Sequence, residues 1–241
     1  MTKNYALIFA GGTGQRMHSK SIPKQFLYVH GKPIIIHTLL HFENCKQIDG
    51  IVVVCYEPFI PTLKKLLKEF NIKKVSDVIA GGDSGQESIF LGLERLSKIS
   101  SENDIVLIHD GVRPLITERL IENNVESVRS NGSAITVSKA IETVISADNN
   151  FVSDVADRSH SYYAKAPQSF YFKDIYGCHK KAIAENKHDF IDSATMMRYY
   201  GYELHTVECS PNNIKITTQT DYFMFKGLLD AQELDQMNVE L

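Results

Sequence analysis

Tyr5-Ala-Leu-Ile-Phe-Ala-Gly-Gly-Thr-Gly-Gln-Arg-Met17, continued by Ile22-Pro-Lys-Gln-Phe26, is the stretch on which the fold turns. Residues 5–9 are all apolar, the pattern of a strand buried on both faces. The run enters glycines at 11, 12 and 14 without a break, and two cations, Arg16 and Lys24, follow within one loop's reach. Glycine lets a backbone approach an anion and turn its N–H groups toward it. Arg and Lys then neutralise the charge those groups cradle. The natural occupant is a triphosphate; the plainer alternative is a Gly-rich turn with two exposed cations.

Neither common phosphate loop fits. A dinucleotide fingerprint starting at Gly12 needs glycine at 17, where Met17 stands, and a ribose-binding acid some twenty residues on; no acidic residue lies between Met17 and Glu43. The Gly-Lys-Ser/Thr of a P-loop is also absent.

Outward from the first strand, apolar runs at 51–55, 75–79 and 105–109 alternate with helical patterns. Pro33 opens one helix over 33–42, Leu63, Leu66, Leu67 and Phe70 mark a second, and Ile89, Leu93 and Leu96 a third. Residues 117–129 place Leu120, Ile121, Val125 and Val128 on one helical face. This β-α alternation predicts an α/β fold with a doubly wound, mostly parallel sheet and right-handed crossovers. Ligands bind such sheets at the carboxyl ends of the strands, which makes the Gly11 loop and Asp110 neighbours. Residues 134–137 read as a strand; 141–145, 147–150 and 151–155 then read as strand, turn and strand, a projecting β-hairpin arm inserted at about 138–165. Helices are expected at 175–184 and 194–200, strands at 204–207 and 213–217, and a last helix capped by Thr220 and running through Leu229.

The 241 residues, 43% of them apolar, suit one domain over 1–241. A net charge of -3 argues against a nucleic-acid surface. Cys45, Cys55, Cys178 and Cys209 form no C-x-x-C pair, which argues against zinc, and Cys55 reads as a small buried hydrophobe. No apolar run approaches a membrane span and the chain opens directly into a core strand, so a cytoplasmic protein without a membrane partner is expected.

His109-Asp-Gly-Val-Arg-Pro114 closes the fourth strand. A carboxylate held there beside a triphosphate is by default a Mg²⁺ anchor. Arg113 either pairs with Asp110 or reaches a phosphate; the alternative is an Asp-Gly turn with Arg113 exposed. His109 reads as a satisfied strand-end histidine. Gly81-Gly-Asp-Ser-Gly-Gln-Glu-Ser88 is a second glycine loop, which suits either contact of Ser88 with a base or ribose or an ordinary helix cap. Lys215, between Ile214 and Ile216, points off their apolar face; a surface lysine is its bland reading.

Together these motifs resemble the cytidylyltransferases that join CTP to a polyol phosphate, those of 2-C-methyl-D-erythritol 4-phosphate and of ribitol 5-phosphate. The resemblance spans nearly the whole chain: residues 10–17, 23–26, Gly81-Gly82 with Ser88, His109-Asp110, Arg113-Pro114, Pro167-Gln168 and Asn213-Ile-Lys-Ile-Thr217. It implies a Rossmann-like sheet, a homodimer clasped by the arms, and Mg²⁺. It further implies that the backbone of Ala10, Gly11, Gly12, Thr13 and Gly14 wraps the CTP phosphates. Arg16, Lys24 and Lys215 would stabilise charge at the α-phosphate, Asp110 would hold Mg²⁺, and Gly82 and Ser88 would bind the cytidine. Arg113 and Thr143 would position the alditol phosphate, and Arg158 would reach the partner subunit's site. No general base is required, because the attacking phosphate oxygen is already ionised at neutral pH.

Three departures concern the acceptor half. Ala166 stands where the family usually has Thr before Pro-Gln, Ile191 where it has Thr or Ser before Asp192, and Gly85 where the second glycine loop usually carries Arg. Ala10-Gly-Gly12 and Thr217-Thr218 resemble the ribitol branch. The expectation is a CDP-alditol synthase serving a cell-envelope or capsule polymer, with the methylerythritol activity of isoprenoid synthesis as the alternative. An NAD(P)-dependent reductase would leave Arg16 and Lys24 unexplained, and a nucleotide-binding module without turnover has little need of those two together with Asp110 and Lys215.

Overall fold

The computed structural model describes residues 2–12 and 22–238. In chain order the elements are β1 (Asn4–Ala10), β2 (Tyr28–Val29), β3 (Lys32–Pro33), α1 (Ile34–Asn44), β4 (Gly50–Cys55), α2 (Ile60–Glu69), β5 (Val75–Ala80), α3 (Gly85–Leu96) and β6 (Ile105–Asp110). They continue as α4 (Glu118–Asn131), β7 (Ser133–Lys139), β8 (Ile145–Asp148), β9 (Phe151–Val155), β10 (Tyr162–Tyr171), α5 (Phe172–Ala184), α6 (Ser193–Tyr199), β11 (Thr206–Glu208) and α7 (Gln219–Asn238).

Seven strands form one sheet in the order β11-β7-β10-β6-β1-β4-β5. β1 pairs in parallel with β4 and β6, and β4 with β5. β10 alone runs against its neighbours, β6 and β7. Strict alternation along β1 builds the two layers: Ala6 and Ile8 face a core with α1, α2 and α4, while Tyr5 and Leu7 face a core with α3, α5 and α6. Both faces are covered, which is why the strands read as unbroken apolar runs. Gly92 marks how closely α3 approaches: a Cβ there would collide with Leu7 Cδ1. Gly92→Ala is therefore expected to lower stability by about 1–3 kcal/mol despite alanine's better helix propensity, read as a drop in the urea midpoint with an unchanged slope.

The ends of the elements follow local chemistry. The Thr117 hydroxyl accepts from Leu120 N at 3.2 Å to start α4, and Gly132 ends it in the left-handed region at φ +86°. Four expectations need correction. No strand spans 141–145; β8 begins at Ile145, and the turn is only Asn149-Asn150, both at positive φ (48° and 68°), as a two-residue hairpin requires. Residues 213–217 are not a strand, although Ile216 N donates to Val112 O at 2.8 Å and the alternation survives, with Ile216 buried and Lys215 outward. Thr218, not Thr220, opens α7: its hydroxyl accepts from Asp221 N at 3.3 Å, and Asp221 accepts in return from the N–H groups of Thr217 and Thr218. The edge strand expected at 204–207 is Thr206–Glu208.

The arm leaves the sheet between β7 and β10, and residues 141–155 are exposed throughout. It carries Ile141, Ile145, Phe151, Val152 and Val155 on its surface, with Phe151 78% exposed. Cys45, Cys55 and Cys178 are buried free thiols, and burial pushes Cys55 up to about 12. Among the described residues no helix is long and apolar enough to cross a membrane.

Candidate active site

The β1–β6 register pairs Phe9 with Asp110, so the glycine loop and Asp110 emerge side by side from the sheet. Gly111 presses against the Ala10 side chain, which closes the gap between the two strand ends. Asp110 is 5% exposed and Arg113 7%. Oδ2 of Asp110 accepts from Nε of Arg113 at 3.1 Å and lies 3.1 Å from Nη2, a two-pronged pair. Lys215 Nζ stands 2.6 Å from Oδ1. Burial alone would raise the Asp110 carboxyl, but Arg113 and then Lys215 outweigh it and hold the group below its ordinary value.

The segment that brings Lys215 here is anchored by its neighbours. Arg113 Nη1 donates to Asn213 O at 2.7 Å, and Asn213 Nδ2 donates to Ala166 O at 2.9 Å, on the bulge where β10 shifts register. Ile216 packs with Val29, Ile34, Val112 and Phe225 in a small third core. Three distant parts of the chain thus meet at one carboxylate. The Lys215 side chain is 43% exposed, whereas that of Arg113 is buried.

Gln25 is the second organiser. It is 1% exposed and its Nε2 donates to Ala10 O at 2.7 Å and to Gly12 O at 3.0 Å. In a trans peptide the C=O and the following N–H point in opposite directions. Drawing the Ala10 carbonyl toward Gln25 therefore turns the Gly11 N–H away from it, which leaves a donor for an anion. Gln25 sits in the same short 3₁₀ turn, Lys24–Phe26, that carries Lys24. Gln25→Leu is expected to raise the KM for a nucleoside triphosphate about tenfold, the scale of losing two neutral hydrogen bonds with partial relaxation, with a smaller effect on the second substrate; steady-state kinetics with each substrate varied checks this.

The second glycine loop abuts the first. Gly11 and Gly81 approach so closely that a Cβ on Gly81 would lie 3.4 Å from Gly11 Cα and 3.0 Å from Ser88 Oγ. Ser88 is buried, and its hydroxyl accepts from Gly82 N at 3.2 Å. The cap of α3 is Ser84, which accepts from Glu87 N at 3.1 Å, so Ser88 braces the two loops and is not the cap.

A cavity of about 360 Å³ opens beside this cluster. Asp110, Arg113 and Lys215 line it together with Gly85, Ala166 and Ile191, the three departures noted in the sequence. Two glutamines fix its rim: Gln86 donates to Lys187 O at 2.8 Å and accepts from Phe190 N at 3.0 Å, while Gln168 donates to Asp192 at 2.9 Å and accepts from Ala194 N at 2.8 Å.

Of the sequence-predicted residues, Ala10, Gly11, Gly12, Asp110, Arg113 and Lys215 lie at the ends of β1 and β6 or on the segment tied to them, and Lys24 is in the turn next to Gln25. Thr13, Gly14 and Arg16 lie outside the described residues. Thr143 and Arg158 are exposed on the arm and do not line the cavity of their own chain. His109 Nε2 donates to Arg113 O at 3.1 Å; burial lowers its imidazole to about 3, so it is a neutral structural residue. Sequence reasoning assigned no role to Gln25, Gln86, Gln168 or Asn213, because a single sequence does not say which amides are buried. Among the described residues no group of three or more His, Cys, Asp or Glu assembles as a metal site.

The profile of the family described as IspD, 2-C-methyl-D-erythritol 4-phosphate cytidylyltransferase, matches residues 5–230. The chain belongs to this family. It is 52% identical over 231 residues to the ribitol-5-phosphate cytidylyltransferase of Vibrio parahaemolyticus, covering 95% of this chain and 97% of the relative. It is 50% identical over 235 residues to the protein of the same name from Streptococcus agalactiae, covering 97% and 98%. A solved structure of 4-diphosphocytidyl-2C-methyl-D-erythritol synthase from Anaerococcus prevotii superposes with a TM-score of 0.83 at 28% identity, covering 95% and 96% of the two chains. Its likeness supports the mostly parallel sheet flanked by helices described above.

Proposed function

We propose that this protein is a cytidylyltransferase that joins CTP to D-ribitol 5-phosphate, giving CDP-ribitol and pyrophosphate. The observation that carries this reading is the Asp110–Arg113–Lys215 cluster at the mouth of the glycine loop, with Lys215 2.6 Å from Asp110 and half-exposed. A phosphate oxygen of the alditol phosphate attacks the α-phosphorus of CTP; the new P–O bond forms as the bond to the β-phosphate oxygen breaks and pyrophosphate leaves. Negative charge grows on the α-phosphate oxygens, and Lys215, with Lys24 and Arg16, supplies cations for it. The nucleophile is ionised beforehand, so positioning and charge neutralisation carry the rate.

Mg²⁺ fits the donor set in a limited way. Asp110 supplies one carboxylate; a carboxylate has more acceptor sites than the three bonds it makes here, and Mg²⁺ commonly takes one or two carboxylates plus substrate phosphates. Asp110 is therefore the residue that would hold the ion, and the ion would neutralise phosphate charge. Arg158 and Thr143 act, in this reading, across a homodimer. The apolar surface of the arm supports that, since a two-stranded hairpin with Phe151 78% exposed gains little stability by itself. The reaction takes place in the cytoplasm.

Ribitol is favoured over methylerythritol on two grounds. The relatives at 50% and 52% identity carry the ribitol name. The family's usual hydroxyls are missing at Ala166 and Ile191, both in the cavity wall. Pyrophosphate release should be followed with Mg²⁺, each of the four nucleoside triphosphates and both acceptors. Release is expected with CTP and ribitol 5-phosphate; release with methylerythritol phosphate alone would reverse the assignment, and none with CTP would end it.

A further inference from the structure

Every amide side chain in the cavity wall is already engaged: Gln86 uses both ends on the loop that precedes α6, and Gln168 uses both on the start of α6. His179 is not. It projects from α5 into the same wall, is 1% exposed, and has no hydrogen-bond partner at either Nδ1 or Nε2. The other orphaned side chains among the described residues each leave a single atom unpaired. Buried polar groups are nearly always hydrogen-bonded, and an unpaired one costs stability unless something else completes it.

The surroundings say what completes it. Phe90 stacks on the ring with centroids 6.2 Å apart, and Phe190, Ile89 and Met196 line the wall beside it. No carboxylate is hydrogen-bonded to the ring, and burial pushes the imidazole down to about 4, so at neutral pH it is uncharged. A neutral imidazole offers one N–H donor and one bare acceptor nitrogen. A phosphate, acceptor-only when ionised, matches half of that. A hydroxyl donates and accepts, so it suits either nitrogen, and the neighbouring hydroxyls of a polyol suit both.

We propose that His179 reads a hydroxyl of the alditol chain, making the α5–α6 side of the cavity the subsite for the part of the acceptor remote from its phosphate. This rests on the alditol-phosphate reading above and refines it: specificity for a linear polyol comes from an uncharged, desolvated hydrogen-bonding group. Such a group discriminates strongly, because a substrate lacking the hydroxyl leaves the imidazole unpaired.

The test compares wild type with His179→Leu, an apolar residue suited to the buried face of α5, and His179→Gln, which keeps a donor and an acceptor. The KM for ribitol 5-phosphate is expected to rise roughly ten- to hundredfold in His179→Leu, with the KM for CTP unchanged, and to recover within a few-fold in His179→Gln. Deoxy analogues, each lacking one hydroxyl, add a second axis. Wild type should reject one of them strongly and His179→Leu should not. Equal discrimination by both proteins, or parallel shifts in both KM values, would overturn the subsite while leaving the cytidylyltransferase assignment intact. No wild-type turnover with any alditol phosphate would overturn the assignment and the subsite together. Should His179→Leu not fold, ¹⁵N-histidine spectra of wild type decide: saturating ribitol 5-phosphate must move the His179 ring nitrogens, and an unmoved pair refutes the contact.

Discussion

Asp110→Asn is expected to cut kcat by about a thousandfold or more and also to lower folding stability by about 3 kcal/mol. The two losses have different origins. Turnover falls because the one carboxylate at the junction of the glycine loop and Lys215 is gone. Stability falls because Arg113, 7% exposed and bonded to Asp110 through two nitrogens and to Asn213 O through a third, keeps its charge in a buried place where a neutral amide no longer balances it. The pH dependence separates this from a generic packing defect. Because the folded Asp110 carboxyl titrates below its unfolded value, wild type holds the extra stability above the usual carboxylate range and loses it as pH falls through the folded value. The variant has nothing to lose there, so denaturation midpoints of the two proteins should differ near neutrality and converge in acid. Parallel curves across that range would mean that Asp110 is not an ionised partner of Arg113.

Lys215→Ala should do the reverse of a structural mutation. A fall in kcat of about a hundred- to a thousandfold is expected, the scale of removing one preorganised charge donor. Its ion pair with Asp110 is half-exposed on the lysine side, so the stability change should stay below about 1 kcal/mol. The CTP dissociation constant should move less than kcat, because charge on the α-phosphate grows only as the bond changes. A KM rise with kcat unchanged would make Lys215 a binding residue rather than a catalytic one.

What could be read from the chain and what could not divide along physical lines. β1, β4 and β6 were legible because burial on both faces forces uninterrupted apolar runs, and the capping threonine of α4 sits at the start of a clear helical period. Asp110 and the glycine loop were legible as neighbours because parallel topology sends strand ends to one edge. The segment around Lys215 was misread as a strand, since alternation of Ile214, Lys215 and Ile216 looks the same whether the partner is a sheet or, as here, a single bond to Val112 O and a pocket of side chains. The arm register slipped for a similar reason: with no buried face, nothing in the hydrophobic pattern marks where pairing begins, and only the two asparagines at the tip do. The buried amides were invisible, because glutamine at 25, 86 and 168 has the same letter whether it is solvated or holding a loop. The ribitol branch rested on resemblance, and the two relatives at about half identity agree with it.

The loop held by Gln86 and Gln168 has a wider consequence. Gln86 grips only main-chain atoms, at Lys187 and Phe190, and Gln168 grips the main chain of Ala194 and the cap of α6. His188, Asp189 and the 92%-exposed Ile191 therefore contribute little to folding. Their identities are open to drift, so new acceptors are within reach of a lineage, or of a designer, through single substitutions on a rigid ledge.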